Sequence, residues 1–277
     1  MQSQSVDRAS ERAYPGPMTP SLSDLFAQAR AGAVDIPDGW KQGRTGYGGL
    51  SAAILLERAR AAVPGLPPLR SALVNFTGPV SGTPELSATV LRQGRNVTTV
   101  EAKAHVEGGV VCAATFSFGA SRDSRVSLDC PAPDAPAPDA CAPFAPPGAE
   151  RFVPAFFARF DTRRIAGAPL VSGASEGYVR AWSRHADAEA RAGESALLCL
   201  ADVLPPAAMP MMAAPAPISS MSWICNILRP PETDDGWYMV ESDLSAAGEG
   251  YTSQVMHIWN TRGQLVVEGM QSIVVFG

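Results

Sequence analysis

Two stretches of this chain repeat one another about 150 residues apart, and that repeat limits the fold more than any other feature. ALVNFTGPV (72–80) lies over the run ending in CNILRPP, with Asn75 on Asn226 and Pro79 on Pro230, an offset of 151. LRQGRN (91–96) falls near LSAAGEGY (244–251), and VVCAATFSF (110–118) lies over LVVEGMQSI (265–273) at an offset of 155. Identity between the copies is low, but the order helix, long strand, paired strands, closing strand is shared. Between them runs SLDCPAPDAPAPDACAPFAPPG (127–148). Proline fixes φ and removes a donor, so neither helix nor sheet passes through this tract, which reads as a semi-extended linker.

The first half opens with a helix over Ser21–Ala33. KQGRTGYGG (41–49) then leads into LSAAILLERARAAV (50–63), a mostly buried helix that ends at Pro64-Gly65. Strands are predicted over 69–80, over 83–106 as a pair around Gln93-Gly94, and over 109–119, with a tight turn at Gly108-Gly109. In the second half the pattern predicts strands over Phe152–Ile165 and Gly177–His185. A helix-like run follows over Ser195–Met212, and strands over 218–230, 236–260 and 263–277, the last hairpin turning at Thr261-Arg262-Gly263. One helix followed by consecutive strands in each copy is an α+β pattern, not an alternating βαβ one.

Composition narrows the function. Hydrophobic residues make up 46% of the 277 and charged residues 18%, as in ordinary globular proteins. The net charge of -5 offers no basic excess for phosphates, so nucleic acid is not an expected partner. No apolar run reaches 18 residues, so no membrane span is expected, and the polar start MQSQSVDRASERAYPG carries no secretory h-region. Cys112, Cys130, Cys141, Cys199 and Cys225 are odd in number and widely spaced, and His105, His185 and His257 lie far from them in sequence. Neither a disulfide framework nor a metal site is expected, and the cytoplasm is the expected compartment.

The matching pieces GYGGLSAAIL, LVNFTGPV, LRQGRNVTT and CAATFSF in the first half, and LLCLADVLP, ISSMSWICNILRP, GWYMVES and RGQLVVEGMQ in the second, resemble two fused hotdog folds. The chain is similar to the double-hotdog acyl-CoA thioesterases, the type II thioesterase or thioesterase-like superfamily, over roughly 35–120 and 175–275. The resemblance implies a double hotdog, each unit a central helix wrapped by an antiparallel sheet. Its parts are an N-terminal flexible stretch (1–20), a first hotdog (21–122), the Pro/Ala-rich linker (123–148) and a second hotdog (149–277). It implies an acyl-CoA substrate, no cofactor, and the possibility of a homo-oligomer.

Carried over residue by residue, the family's catalytic groups fall on Asp202 in CLADVLP, Ser220 in ISSMSW and Gln271 in VEGMQS. Their first-half counterparts fall near Ser51, Leu69 and Phe116, which lack the carboxylate and the amide, so the resemblance implies one active site per chain. The sequence departs from the family pattern in two places. Ser222-Trp223 stands where Asp-His is common, and Ala201 stands where Ser usually precedes the helix Asp.

The chemistry agrees with this assignment. Thioester hydrolysis needs a water, a base and a partner for the developing oxyanion. Asp202 interrupts an apolar run, and burial raises a carboxyl toward the range of a useful general base. Ser220 and Gln271 are neutral and can hold a water without competing for its proton. Gly48-Gly49, just before the buried helix, admits a thioester close to the backbone and offers N–H groups for an oxyanion; the same pair also reads as a plain helix start. Arg92 and Arg95 fit CoA phosphates or plain solvent exposure.

Two other readings stay open: a non-catalytic acyl-CoA-binding hotdog, and a serine hydrolase using Ser175 in Gly173-Ala-Ser175-Glu-Gly177. The second requires a strand, an elbow and a helix around Ser175, where the sequence reads strand, turn, strand.

Overall fold

A computed structural model describes residues 20–146, 148–149 and 153–276; the polar N-terminus through residue 19, Phe152 and Gly277 lie outside them. Helix α1 (Leu22–Ala31) begins where Ser21 and Asp24 form a reciprocal capping box and ends at Gly32, whose φ of 109° closes the helix in the left-handed region. A two-stranded ribbon, β1 (Lys41–Gln42) and β2 (Thr45–Gly46), precedes α2 (Gly48–Ala62). Every residue of α2 from Gly49 to Leu56 is buried, which accounts for its lack of a polar face over the first two turns.

The remaining strands are β3 (Leu69–Phe76), β4 (Glu85–Gln93), β5 (Val97–Val106), β6 (Gly109–Gly119), β7 (Phe160–Ala166), β8 (Tyr178–His185), β9 (Ile218–Ile227), β10 (Tyr238–Gly248), β11 (Tyr251–Asn260) and β12 (Leu265–Val275). They form one ten-stranded sheet in the order β4-β5-β6-β3-β9-β12-β11-β10-β8-β7, antiparallel throughout. Helix α3 (Glu194–Ala201) packs against α2, with the core between helices and sheet. No helix among the described residues is long and apolar enough to cross a membrane.

The sheet register carries the repeat. The halves meet where β3 pairs with β9, centred on Leu73 opposite Ile224, two residues related by the offset of 151. Ala72 opposite Phe116 in the first half matches Trp223 opposite Gln271 in the second, at offsets of 151 and 155. Irregularities repeat as well. Arg70 is an extra residue between the pairs Leu69–Phe118 and Ser71–Ser117. Met221 is extra between Ser220–Ile273 and Ser222–Ser272. Leu91 and Ser245 are extra in the same way on β4 and β10. A bulge reverses which face the following side chains occupy, so matching bulges mean matching inward residues in both copies.

Four expectations change. The predicted helix over Ser195–Met212 stops at Ala201, because Pro205 and Pro206 cannot continue it; a 3-10 turn at Met209–Met211 is all that follows. The stretch before Ile165 is a 3-10 turn (Ala155–Arg159) leading into β7, not one continuous strand. The strands predicted over 69–80 and 218–230 end at Phe76 and Ile227, before Pro79 and Pro230. The hairpin between β5 and β6 turns on Glu107 (φ 51°) and Gly108 (φ 78°), one residue earlier than Gly108-Gly109, as a two-residue turn with both φ values positive.

The proline-rich tract lies on the outer face of the second half's sheet. Trp182 Nε1 donates to the Pro136 carbonyl at 2.8 Å and Trp259 Nε1 to the Cys130 carbonyl at 2.9 Å. Cys141 joins Trp182, Trp237, Met239 and Trp259 in a separate apolar cluster, with Ala132 and Ala135 packed against it.

Candidate active site

Asp202 is the first residue past α3, and the break after Ala201 turns its side chain toward the start of α2. A Cβ placed on Gly48 would stand 2.5 Å from Asp202 Oδ2, so only a glycine leaves room for the carboxylate at this approach. The Gly49 backbone beside it favours the ionised form of the same carboxylate. Gly49 in turn lies against the Cys199 carbonyl, which accepts the Tyr47 hydroxyl at 2.8 Å. Tyr47 is fixed by stacking on Phe156, the ring centroids 4.0 Å apart and nearly parallel at 6°.

From the sheet, Gln271 Nε2 donates to Asp202 Oδ1 at 3.0 Å and lies 2.9 Å from Ser220 Oγ. Ser220 reaches this face because the extra residue Met221 reverses the alternation along β9; its ladder partner Ile273 points inward with Gln271. All three polar residues and both glycines of the sequence reading therefore converge, Asp202 from one half meeting the helix start of the other.

Burial pushes the Asp202 carboxyl up to about 7, while the Gln271 amide and the Gly49 N–H act in the opposite sense. Tyr47, Cys199 and Cys225 are pushed well above their ordinary values, first by burial and then by the nearby Asp202 charge, and stay neutral.

Sequence reasoning missed Gln254. This residue of β11 is 1% exposed, donates through Nε2 to Gln271 Oε1 at 2.9 Å, and accepts the Ala207 N–H at 2.8 Å. Its counterpart at an offset of 154 is Val100, since Val90–Val100 on β4 and β5 matches Leu244–Gln254 on β10 and β11. A polar residue where the twin copy is apolar was the available signal. The twin positions of Ser220, Gln254 and Gln271 are Leu69, Val100 and Phe116, all fully buried and apolar.

The departures from the family pattern take definite places. Ser222 faces outward opposite Asn75, and Trp223 fills the inner face beside Gln271, its indole N–H without a hydrogen-bond partner among the described residues. Ala201 is buried. Ser51 donates to the Tyr47 carbonyl inside α2. Ser175 is exposed in the loop between β7 and β8, with no helix after it, so the elbow geometry is absent. Arg92 and Arg95 are exposed at the β4 edge, five strands from β12. The histidines serve elsewhere: His105 meets Ser87 at 3.0 Å, His257 lies 3.5 Å from Glu241, and His185, whose pKa burial lowers to about 4, bonds the Ala196 carbonyl.

Family and structural comparisons agree with this architecture. The acyl-CoA thioesterase N-terminal domain matches residues 36–119 and the acyl-CoA thioesterase C-terminal domain matches 138–275. A conserved hotdog-fold protein of unknown function from Alicyclobacillus acidocaldarius shares 21% identity over 91% of this chain and 98% of its own, with a TM-score of 0.81. The tesB protein of Mycobacterium avium subs paratuberculosis shares 16% identity over 93% and 100%, with a TM-score of 0.74. An acyl-CoA thioesterase II, TesB2, from Mycobacterium marinum shares 20% over 88% and 92%, with a TM-score of 0.68. At such identities the structural likeness concerns the fold. No curated protein matches the chain in sequence. The two domain matches cover both copies of the repeat, and the chain belongs to the double-hotdog acyl-CoA thioesterase family.

Proposed function

We propose that the chain hydrolyses acyl-CoA thioesters at one centre per chain, with Asp202 as the base. The observation that carries this reading is the Gln271 amide, which bridges Asp202 and Ser220 beneath the first turn of α2. A carboxyl held near 7 is half ionised at neutral pH, which suits general-base work. Ionised Asp202 takes a proton from water as the water oxygen bonds to the thioester carbon. The tetrahedral intermediate then expels the CoA sulfur, which receives that proton. Ser220 orients the water, while Gln271 holds Ser220 and Asp202 through its two N–H groups, and neither ionises in this range. The positive end of α2, beside Asp202, suits the charge that the carbonyl oxygen gains. Met209, Met211 and Met212, on the segment that follows Asp202, supply adaptable apolar surface for the acyl chain. The apolar twin positions Leu69, Val100 and Phe116 support a single reacting centre.

The test is release of free thiol from a chain-length panel of acyl-CoAs. Wild type is expected to turn over one or more of them, and Asp202→Asn to lose about 10²–10⁴-fold in kcat. Full activity in Asp202→Asn removes the assignment. Tight acyl-CoA binding by wild type with no turnover would instead make the protein a binding module.

A further inference from the structure

We infer that Gln254 is a positioning residue for the reacting centre, because it fixes which end of the Gln271 amide faces Asp202. This rests on the functional reading above and extends it.

A Gln side chain can be turned over with little change in shape, exchanging its donor end for its acceptor end. The catalytic arrangement needs the NH2 end of Gln271 toward Asp202 and Ser220. Nothing on those two residues enforces this fully, since Ser220 can donate as well as accept and Asp202 is protonated part of the time. The enforcement comes from behind. Gln254 Nε2 donates to Gln271 Oε1 at 2.9 Å, and Gln254 is itself held the right way round because its Oε1 accepts the Ala207 N–H at 2.8 Å. A backbone N–H can only donate, so it ends the ambiguity for the whole chain of amides.

The geometry is a closed circuit. Ala207 lies five residues after Asp202, across the rigid Pro205-Pro206 pair. The path runs from the Ala207 N–H through Gln254 and Gln271 back to the Asp202 carboxylate. Gln254 and Gln271 are both nearly inaccessible, at 1% and 3%, so water cannot readily substitute for a missing partner.

Two variants test this. Gln254→Met keeps the volume and removes the donor. Gln254→Glu keeps an acceptor for the Ala207 N–H, and its ionised form cannot donate to Gln271 and instead draws the Gln271 NH2 toward itself. Both are expected to lower kcat about 10- to 100-fold with KM changed less than about twofold, Gln254→Glu the more. Both should also move the acid limb of the kcat profile to higher pH by about one unit, because Asp202 loses a donor to its ionised form. The other titratable groups facing Asp202 are Tyr47 before α2, Cys199 on α3 and Cys225 on β9. All are held neutral by burial and cannot produce that limb.

A second readout needs no turnover: titration of the Asp202 carboxyl carbon by NMR in carbon-13-labelled wild type and variants. A raised Asp202 titration in folded Gln254→Met, which adds no charge of its own, supports the inference. Unchanged kcat and unchanged titration in a folded Gln254→Glu protein overturn it. If wild type hydrolyses no acyl-CoA, the functional reading fails separately, and the NMR titration still decides the role of Gln254. If Gln254→Met does not fold, Gln254→Leu, which also adds no charge, takes its place.

Discussion

Gly48, at the start of α2, approaches the carboxylate of Asp202 so closely that a Cβ there would stand 2.5 Å from Oδ2, so the buried acid of one half rests against the helix that belongs to the other. Neither half contains the arrangement alone. The positive end of α2 and the apolar surroundings of Asp202 act on the same group in opposite directions, and the apolar surroundings prevail.

The two glycines at that contact should fail differently. A Cβ on Gly49 would collide with the Cys199 carbonyl and come within 2.8 Å of the Tyr47 ring, so Gly49→Ala forces backbone apart and should cost about 3 kcal/mol or more. Gly48→Ala meets the movable end of Asp202 instead. It should keep nearly the wild-type urea midpoint and lose about 100-fold in hydrolysis. Equal loss of stability in both variants would contradict this distinction.

Hydrolysis should rise with pH through about 7 and level off above it, because Asp202 acts only when ionised. A kcat profile flat from pH 5 to 8 would show that another group supplies the base.

Stability carries the opposite sign. The Asp202 pKa is raised from 3.8 in the unfolded chain to about 7 in the fold, so the unfolded chain releases its proton first as pH rises. The stability this group contributes is present in full below about 3.8 and is lost as pH rises through 7. Asp202→Asn should therefore melt higher than wild type at pH 8, by an amount bounded at roughly 4 kcal/mol, with the difference shrinking toward pH 4. Paired thermal melts at the two pH values measure it.

Glu194, at the start of α3, accepts the Leu69 N–H at 2.8 Å and pairs with Arg60 of α2. Glu194→Ala leaves a half-buried cation and a buried N–H without their acceptor, and should cost about 1–3 kcal/mol in urea unfolding. Glu194→Gln keeps an acceptor and should cost less.

Trp182→Phe retains the aromatic packing and deletes the donor to the Pro136 carbonyl. It should lower stability by about 1 kcal/mol and expose the 130–143 segment to limited proteolysis sooner than in wild type. Unchanged cleavage would mean that packing on Trp237 and Trp259 holds the segment without that bond.

Asp202, Ser220 and Gln271 were legible in the sequence because each is a polar side chain at a position set by the repeat and by the family pattern. Gln254 is marked only by its apolar counterpart Val100 in the other copy, because YTSQVMHIWN alternates like any half-buried strand. Its importance comes from the Ala207 N–H arriving across the break after α3. The length of that helix is hard to read for a related reason: alanines and methionines favour helix through residue 212, against Pro205, Pro206 and Pro210. The hairpin at Glu107-Gly108 was displaced by one residue because two adjacent glycines mark a turn without marking its register.

The bulges at Arg70 and Met221 stand at matching places in the two copies, yet only the second aims a hydroxyl at a carboxylate. The backbone thus builds the same seat twice and leaves one of them furnished with Leu69, Val100 and Phe116. What separates the half that bears the buried acid from its twin is a handful of side chains on a shared scaffold. The twin is no vestige in mechanical terms: it supplies the helix end on which the other half's acid rests.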